Sequence, residues 1–466
     1  MKFSSILAAL LAFAGCTPSG PQTCKLTDPT TCTNGLVCER VKDKGNPYCF
    51  QPLMLQGTVK VLGATTPISG AEVSAVDVNG VPAGAIAHSD SAGAWSLRVE
   101  TERSDDKGTP IFRTVMLRAA AQDFQAFPSG VRNSLPIDTS TAKAQAEGKP
   151  LILANSLTDL ALAALSDAEK GNKGVSGTVE LATGQSALVV LEGARTYSTP
   201  TDGAGAFHLF NVAPGSYKAQ AYSKGSNFTA VDVIAVAGSD TTGVALKKST
   251  VSTATMTGSV SLVGGANGAG TSVVMAIEST FIEVLARGDL VSGLRAPETG
   301  GPTLTGSYSI SGIPDGKYVV LAAFENDGNV RDPDPNISGT QLAHVTVSNG
   351  VASVNPSFKV TGAIETVSPG ASDTIEEIAG TPTFTWKPYS SAKTYDLVVF
   401  SSSGVKVWGN PAVLDVKNAA GNIAVAYGGL VPLKPGLIYQ WRATALGNAG
   451  NPISLTEDLK GLFLVK

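Results

Sequence analysis

The stretch Thr201-Asp202-Gly203-Ala204-Gly205-Ala206-Phe207-His208-Leu209-Phe210-Asn211-Val212-Ala213-Pro214-Gly215-Ser216-Tyr217 reads as turn, strand, turn, strand. Asp202-Gly203 and Gly205 supply the positive-φ positions of a tight hairpin turn. Ala206 to Val212 is short, with aromatic and β-branched residues, and fits a half-buried strand on which His208 points outward. Pro214-Gly215 forms a second turn, and Tyr217 opens the next strand.

Weaker copies of this unit lie on both sides. Ser89-Asp90-Ser91-Ala92-Gly93-Ala94-Trp95-Ser96-Leu97 precedes it, and Gly306-Ser307-Tyr308 running to Asp315-Gly316-Lys317-Tyr318 follows it. Each copy is preceded by a strand start, at Gly57-Thr58-Val59, Gly177-Thr178-Val179 and Gly258-Ser259-Val260. Each is followed by an apolar closing segment, at Leu157–Leu165, Thr242–Leu246 and Pro356–Val360. The spacing between copies is irregular, which predicts tandem domains with loop insertions and not a solenoid. Thr101–Ser140 and Glu278–Thr303 read as the insertions, with a helical turn expected within Phe281–Leu290. Ser156–Ala168 also fits a short amphipathic helix, but its place matches the other closing segments, which favours a strand.

The chain of 466 residues is long enough for three to five domains. It carries 51 Gly and 26 Pro, little helical periodicity, 15% charged residues and a net charge of −4. Frequent Gly/Pro punctuation predicts an all-β chain, and the charge excludes a basic field for nucleic acid.

The first residues set the address. Lys2 precedes an apolar run from Phe3 to Ala14, too short to span a bilayer and typical of a signal h-region. Its end, Leu11-Ala12-Phe13-Ala14-Gly15-Cys16, resembles a bacterial lipoprotein lipobox, with Phe13 where that pattern prefers Leu. The resemblance implies cleavage before Cys16 and lipidation of Cys16, palmitate included. Thr17 after the Cys implies the outer membrane by the enteric sorting rule. Behind it lie Cys24, Cys32, Cys38 and Cys49. An even number in an exported chain reads as two disulfides, with three pairings open. Zinc is the rival reading, but paired C-x-x-C knuckles and a nearby His are missing.

The Gly-x-Val start, the Pro67-Ile68-Ser69-Gly70-Ala71-Glu72-Val73 turn and the Asp-x-x-Gly-x-aromatic hairpin resemble the carboxypeptidase-regulatory-like family, a transthyretin-like sandwich. The resemblance covers roughly residues 55–360. Pro-Gly-x-Tyr is intact in the second copy, Asp315-Gly316 replaces it in the third, and the first lacks it. Past Thr361 the texture changes. Thr383-Phe384-Thr385-Trp386, Tyr395-Asp396-Leu397-Val398-Val399 and Leu433-Lys434-Pro435-Gly436-Leu437-Ile438-Tyr439-Gln440-Trp441 look like a fibronectin type III domain. That resemblance implies a Trp packed between sheets and a tyrosine corner.

The expected order is a signal peptide over 1–15, a tether and Cys-rich module over 16–50, regulatory-like sandwiches over 54–170, 174–250 and 255–362, and a fibronectin-like sandwich over 364–466. The sandwiches are expected to form a stalk with the last as its cap.

Three His, at 88, 208 and 344, lie at no metal-ligand spacing, and nucleophile-elbow, phosphate-loop and dinucleotide motifs are missing. The chain is read as no enzyme, with no cofactor required. One acidic run, Glu325 to Asn336, offers Asp327, Asp332 and Asp334 as calcium ligands, although Arg331 opposes a cation and Asx turns explain the same residues. The role read from all this is a lipid-anchored structural or adhesive scaffold of the cell envelope. Its partners are the membrane, through the N-terminal lipid, and an envelope protein or glycan. The alternatives are a carbohydrate- or peptide-binding module, with Trp408 as an exposed aromatic, and an accessory subunit of an envelope complex.

Overall fold

In the computed structural model, residues 22–466 are described, apart from positions 27, 78–81, 112, 130–133, 135–136, 183–184, 265, 267, 269, 299–300, 325–326, 336–341, 373–374 and 402–403. Among the described residues there are strands and four single-turn 3₁₀ segments, and no α-helix. Cys16 and the signal-like segment lie outside them.

The second repeat shows the plan. Its opening strand Lys173–Val179 lies between the hairpin strand Ala206–Val212, antiparallel, and the closing strand Thr241–Leu246, parallel. A second sheet stacks Tyr197–Pro200, Leu188–Glu192, Gly215–Tyr222 and Val231–Ala235 in that order. The third repeat uses the same pattern. Ala254–Leu262 lies between Ser307–Ile313 and Phe358–Gly362, and the second sheet runs Leu290–Ala296, Val273–Ile277, Gly316–Ala322, Ala343–Ser348, Val351–Ala352.

The first repeat repeats it again. Leu53–Val61 pairs with Ala94–Val99 antiparallel and with Leu151–Leu153 and Leu160–Leu162 parallel. Its second sheet is Ala87–His88, Glu72–Asp77, Thr114–Ala120, Ile137–Asp138. The strand within Ser156–Ala168 is therefore real, though only three residues long. Thr101–Ser140 is not a plain insertion. Thr114–Ala120 fills the place that Gly215–Tyr222 fills in the second repeat, without the Pro-Gly-x-Tyr signature. Glu278–Thr303 likewise holds the edge strand Leu290–Ala296, after 3₁₀ turns at Glu278–Thr280 and Glu283–Leu285.

The repeated residues have repeated jobs. A Cβ on Gly57, Gly177 or Gly258 would fall 1.9 Å from a carbonyl oxygen of the closing segment, that of Thr158, Val244 or Pro356. Only glycine lets the closing segment approach so near. Asp202 Oδ1 accepts from the amides of Ala204 and Ala206 at 2.9 and 2.8 Å, and Asp90 Oδ1 does the same for Ala92 and Ala94. The hairpin glycine then turns its carbonyl to the opening strand: Val59, Val179 and Val260 donate to Gly93, Gly205 and Gly306 at 2.7, 2.8 and 2.9 Å. Across the next turn Tyr217 donates to the Ala213 carbonyl at 2.8 Å and Tyr318 to that of Pro314 at 2.7 Å. Asp-Gly and Pro-Gly thus build one turn.

The last unit pairs a sheet of Thr366–Ser368, Thr383–Trp386 and Ile423–Ala426 with a sheet of Glu376–Ile378, Leu462–Val465, Ile438–Leu446, Thr394–Ser401 and Lys406–Leu414. Pro452–Leu455 joins the second sheet beside Ile438–Leu446. Trp386 and Trp441 are both fully buried, with ring centroids 5.8 Å apart. The Tyr439 hydroxyl accepts from the Lys434 amide at 2.9 Å, a bond back across the corner. Trp408 is half-buried and packs against Phe384 and Tyr427, with centroids at 6.0 and 5.1 Å, so it is a core residue and not a free aromatic platform.

The units do not hang as beads on a straight stalk. Leu188–Leu191 is buried on both faces, with Val189 and Leu191 in the core of the second unit and Leu188 and Val190 in that of the third. That explains a continuous apolar run where a half-exposed strand would alternate. Leu62 of the first unit packs on Leu285, Phe400, Ile438 and Leu462 of the third and fourth. A Cβ on Gly63 would lie 3.2 Å from the Gly436 carbonyl, and Arg118 of the first unit lies 3.6 Å from Asp289 of the third. Faces left apolar after each sandwich closes are covered by the neighbouring sandwiches, and this brings the first unit back against the fourth.

Candidate functional sites: the disulfide module and the polar junctions

Cysteine pairing is Cys24–Cys38 and Cys32–Cys49, with Cα separations of 5.8 and 5.6 Å. The sulfurs of Cys24, Cys32 and Cys38 lie within 4.8 Å of one another, which is metal-ligand range, yet all are spent in the two bridges. A module this small buries little, so the bridges supply about 2–4 kcal/mol each.

The module is fastened to the first sandwich by Arg103. Its guanidinium is fully buried, bonds Glu39 at 2.6 Å, and donates to the carbonyls of Gly108 and Gln51 at 2.7 and 2.8 Å. It also lies 5.4 Å over the Phe50 ring. Burial pushes the Glu39 carboxyl above its ordinary value, and Arg103 opposes the rise.

The junction of first and second units centres on Asn211. This residue lies at a bulge in the hairpin strand, where the register against Lys173–Val179 shifts, and has φ +59°. The kink turns its amide toward the first unit. There Oδ1 accepts from the Asp123 amide at 2.7 Å and from Gln122 at 3.0 Å, and Nδ2 donates to the carbonyls of Ala121 and Phe124, both at 2.9 Å. Asp123 in turn accepts from the Gly171 amide at 2.7 Å, which holds its carboxyl below the ordinary value. His208 lies on the outer face, as its strand position predicts, and is bonded across the junction to Glu72 at 2.9 Å.

Between second and third units, Asn227 spans a second seam. Its Oδ1 accepts from Asp315 at 2.6 Å, and its Nδ2 donates to Val251 and Ser252 at 3.2 and 3.0 Å. Tyr222 meets Tyr318 edge-on at 6.0 Å, and burial raises both phenols well above their ordinary value.

The third and fourth units meet at Asp458, which is buried. Its carboxylate faces Arg442, in direct contact, and Arg331 at 3.8 Å, while its carbonyl accepts from Arg287. Burial pulls Arg287 and Arg331 below the usual guanidinium value, and Asp458 opposes the drop. Gln440 fixes the same carbonyl at 2.9 Å.

The acidic residues of Asp327–Asp334 face different partners. Asp327 accepts from the Thr271 hydroxyl at 2.7 Å and the Asn329 amide at 2.8 Å. Asp332 accepts from the Asp334 amide at 3.0 Å, and Asp334 accepts from Asn451 of the fourth unit at 2.9 Å. Glu325, Asn326 and Asn336 lie outside the described residues. Among the described residues, the carboxylates of Asp327, Asp332 and Asp334 do not gather within ligand distance of a common point. Sequence reasoning missed the junction residues Asn211, Asn227 and Asp458. Asn211, polar on the inward side of an alternating strand, was the one signal available.

No family model matches the chain, and no curated protein does. Among solved structures, a TIE protein of Bacillus anthracis is 10% identical over 86% of this chain and 66% of its own, with a TM-score of 0.15. A streptococcal ancillary pilin is 12% identical over 67% and 99%, with a TM-score of 0.17. The major pilin subunit BcpA of Bacillus cereus is 9% identical over 66% and 97%, also at 0.17. At such scores nothing about this chain follows from theirs.

Proposed function

We propose that this chain is an exported, lipid-anchored, non-enzymatic scaffold of the cell envelope, built to hold a stiff body near a membrane. The observation that carries this reading is the set of polar seams. Each sandwich is joined to the next by directed hydrogen bonds at the seam, from Asn211 to Ala121, from Asp315 to Asn227 and from Arg287 to Asp458, and not by a free linker. Polar groups spanning a seam, amides at the first two and an arginine–aspartate cluster at the third, fix orientation, because any hinge motion leaves a buried group unpaired. The two bridges of the Cys module suit an oxidising compartment.

The N-terminal sequence supports lipidation at Cys16, and Thr17 supports the outer membrane. The repeat motifs support three regulatory-like sandwiches, and the tyrosine corner supports a fibronectin-like last unit. The test is expression with labelled palmitate, followed by membrane fractionation. The wild type takes up label and sediments with outer membranes, and Cys16→Ser does neither. Release of unlabelled wild type into the soluble fraction would overturn the reading.

A further inference from the structure

Between the disulfide module and the first sandwich lies a cleft of about 810 Å³. Its floor is the strand Val37–Glu39, and its far wall is Glu100–Glu102. Farther along, the two chains come together, with Val41 bridged to Arg103 in parallel and Arg103 donating to the Arg40 carbonyl at 2.9 Å. The cleft is thus a fork between two segments that join at one end.

The floor has an open edge. Val37–Glu39 pairs with Tyr48–Phe50 on one side, Cys38 opposite Cys49. The Cys49 amide donates the other way, to Gln22 at 2.8 Å, so Cys38 and Cys49 are a non-hydrogen-bonded pair. The amide and carbonyl of Cys38 therefore point away from Tyr48–Phe50, and among the described residues neither has a partner. Val37 and Glu39 lie on one face of this strand, and both line the cleft.

Glu39 adds a second, independent feature. It is 3% exposed, Arg103 holds its Oε2 and the Thr101 backbone amide also approaches the carboxylate, while its Oε1 makes no hydrogen bond of good geometry. Arg98 comes only to 3.8 Å of that oxygen and is 41% exposed. A buried acceptor fixed by an immobile arginine costs stability while it lacks a donor. Leu36 and Ile111 also line the cleft, and the charges of Glu100 and Glu102 on the wall are balanced by Arg40 and Arg113, so the selection for a cation rests on Glu39 alone.

We infer that this cleft binds an extended peptide segment that adds a strand to the edge at Cys38 and places a lysine or arginine side chain on Glu39 Oε1. Main-chain bonds to Cys38 set the register, and the side chain one position along from the residue opposite Cys38 shares the face of Glu39 and meets it. The cleft is within the usual size of a ligand site and takes about one short strand. This reading does not depend on lipidation.

The test titrates the full chain with the blocked peptide acetyl-Thr-Val-Lys-Val-Thr-amide, followed by amide chemical shifts. Expected are saturable shifts at Val37–Glu39 and Glu100–Glu102, and at least about tenfold weaker binding when the lysine is norleucine. Glu39→Gln weakens the lysine peptide by a similar factor. Arg98→Ala removes the competing cation and tightens it about threefold or more, and at that exposed position the fold is kept even if Glu39→Gln fails to fold. Equal binding of the lysine and norleucine peptides, shifts elsewhere, or no saturation by about 1 mM overturns the inference.

Discussion

The seam at Asn211 and the seam at Asp458 do the same work with opposite chemistry. The first is neutral: one buried amide satisfies four partners from the first sandwich. The second is charged: one buried aspartate meets three arginines, Arg331 and Arg442 at its carboxylate and Arg287 at its carbonyl. A neutral amide seam pays little desolvation and fails by losing hydrogen bonds. A charged seam is expensive to build, and it fails when its single negative charge goes. The second seam should therefore be the more sensitive to one substitution.

Asp458→Ala tests this most strongly. It leaves Arg331 and Arg442, both mostly buried, without their carboxylate, and a loss of about 3 kcal/mol is expected in denaturant unfolding of the full chain. A loss under about 1 kcal/mol would show that the arginines reach solvent. Asn211→Ala should cost about 2 kcal/mol, from buried carbonyls left unpaired and a side chain forced to keep positive φ. If it costs more than Asp458→Ala, the ranking of the seams is wrong.

Arg118→Ala, which cuts a half-exposed pair with Asp289 across first and third units, should cost under about 1 kcal/mol, and that cost should vanish in high salt. The smallest effect is on pH. The Asp123 carboxyl is held below its ordinary value by the Gly171 amide, so its contribution is fully present above the ordinary carboxylate value and is lost as pH falls through the lowered one. Thermal melts carried from pH 5 down to about pH 2 should show wild type losing stability that Asp123→Asn never had.

How much of this was legible in the sequence differs from residue to residue. Gly57, Gly177 and Gly258, the Asp90 and Asp202 turns, and Tyr217 and Tyr318 each mark a backbone requirement, so short motifs announced the sandwich plan. Thr114–Ala120 was hidden because its turn lacks Pro-Gly and nothing local requires one. The run Leu188–Leu191 did carry the second-to-third contact, since four apolar residues in a row mean burial on both faces. Arg331 read as an opponent of calcium beside Asp327, Asp332 and Asp334. Its partner Asp458 lies more than a hundred residues away, and spacing along the chain cannot show that pairing. Cys24, Cys32, Cys38 and Cys49 were recognisable as bridges, but their pairing depends on how Val37–Glu39 meets Tyr48–Phe50.

Backbone amide relaxation measured across all four sandwiches of one deuterated chain tests the locked seams most directly. A single rotational correlation time shared by the residues around Leu55, Val189, Val320 and Val399 is expected. Separate and shorter times for individual sandwiches would mean that the seams do not hold, and the scaffold reading would fall with them.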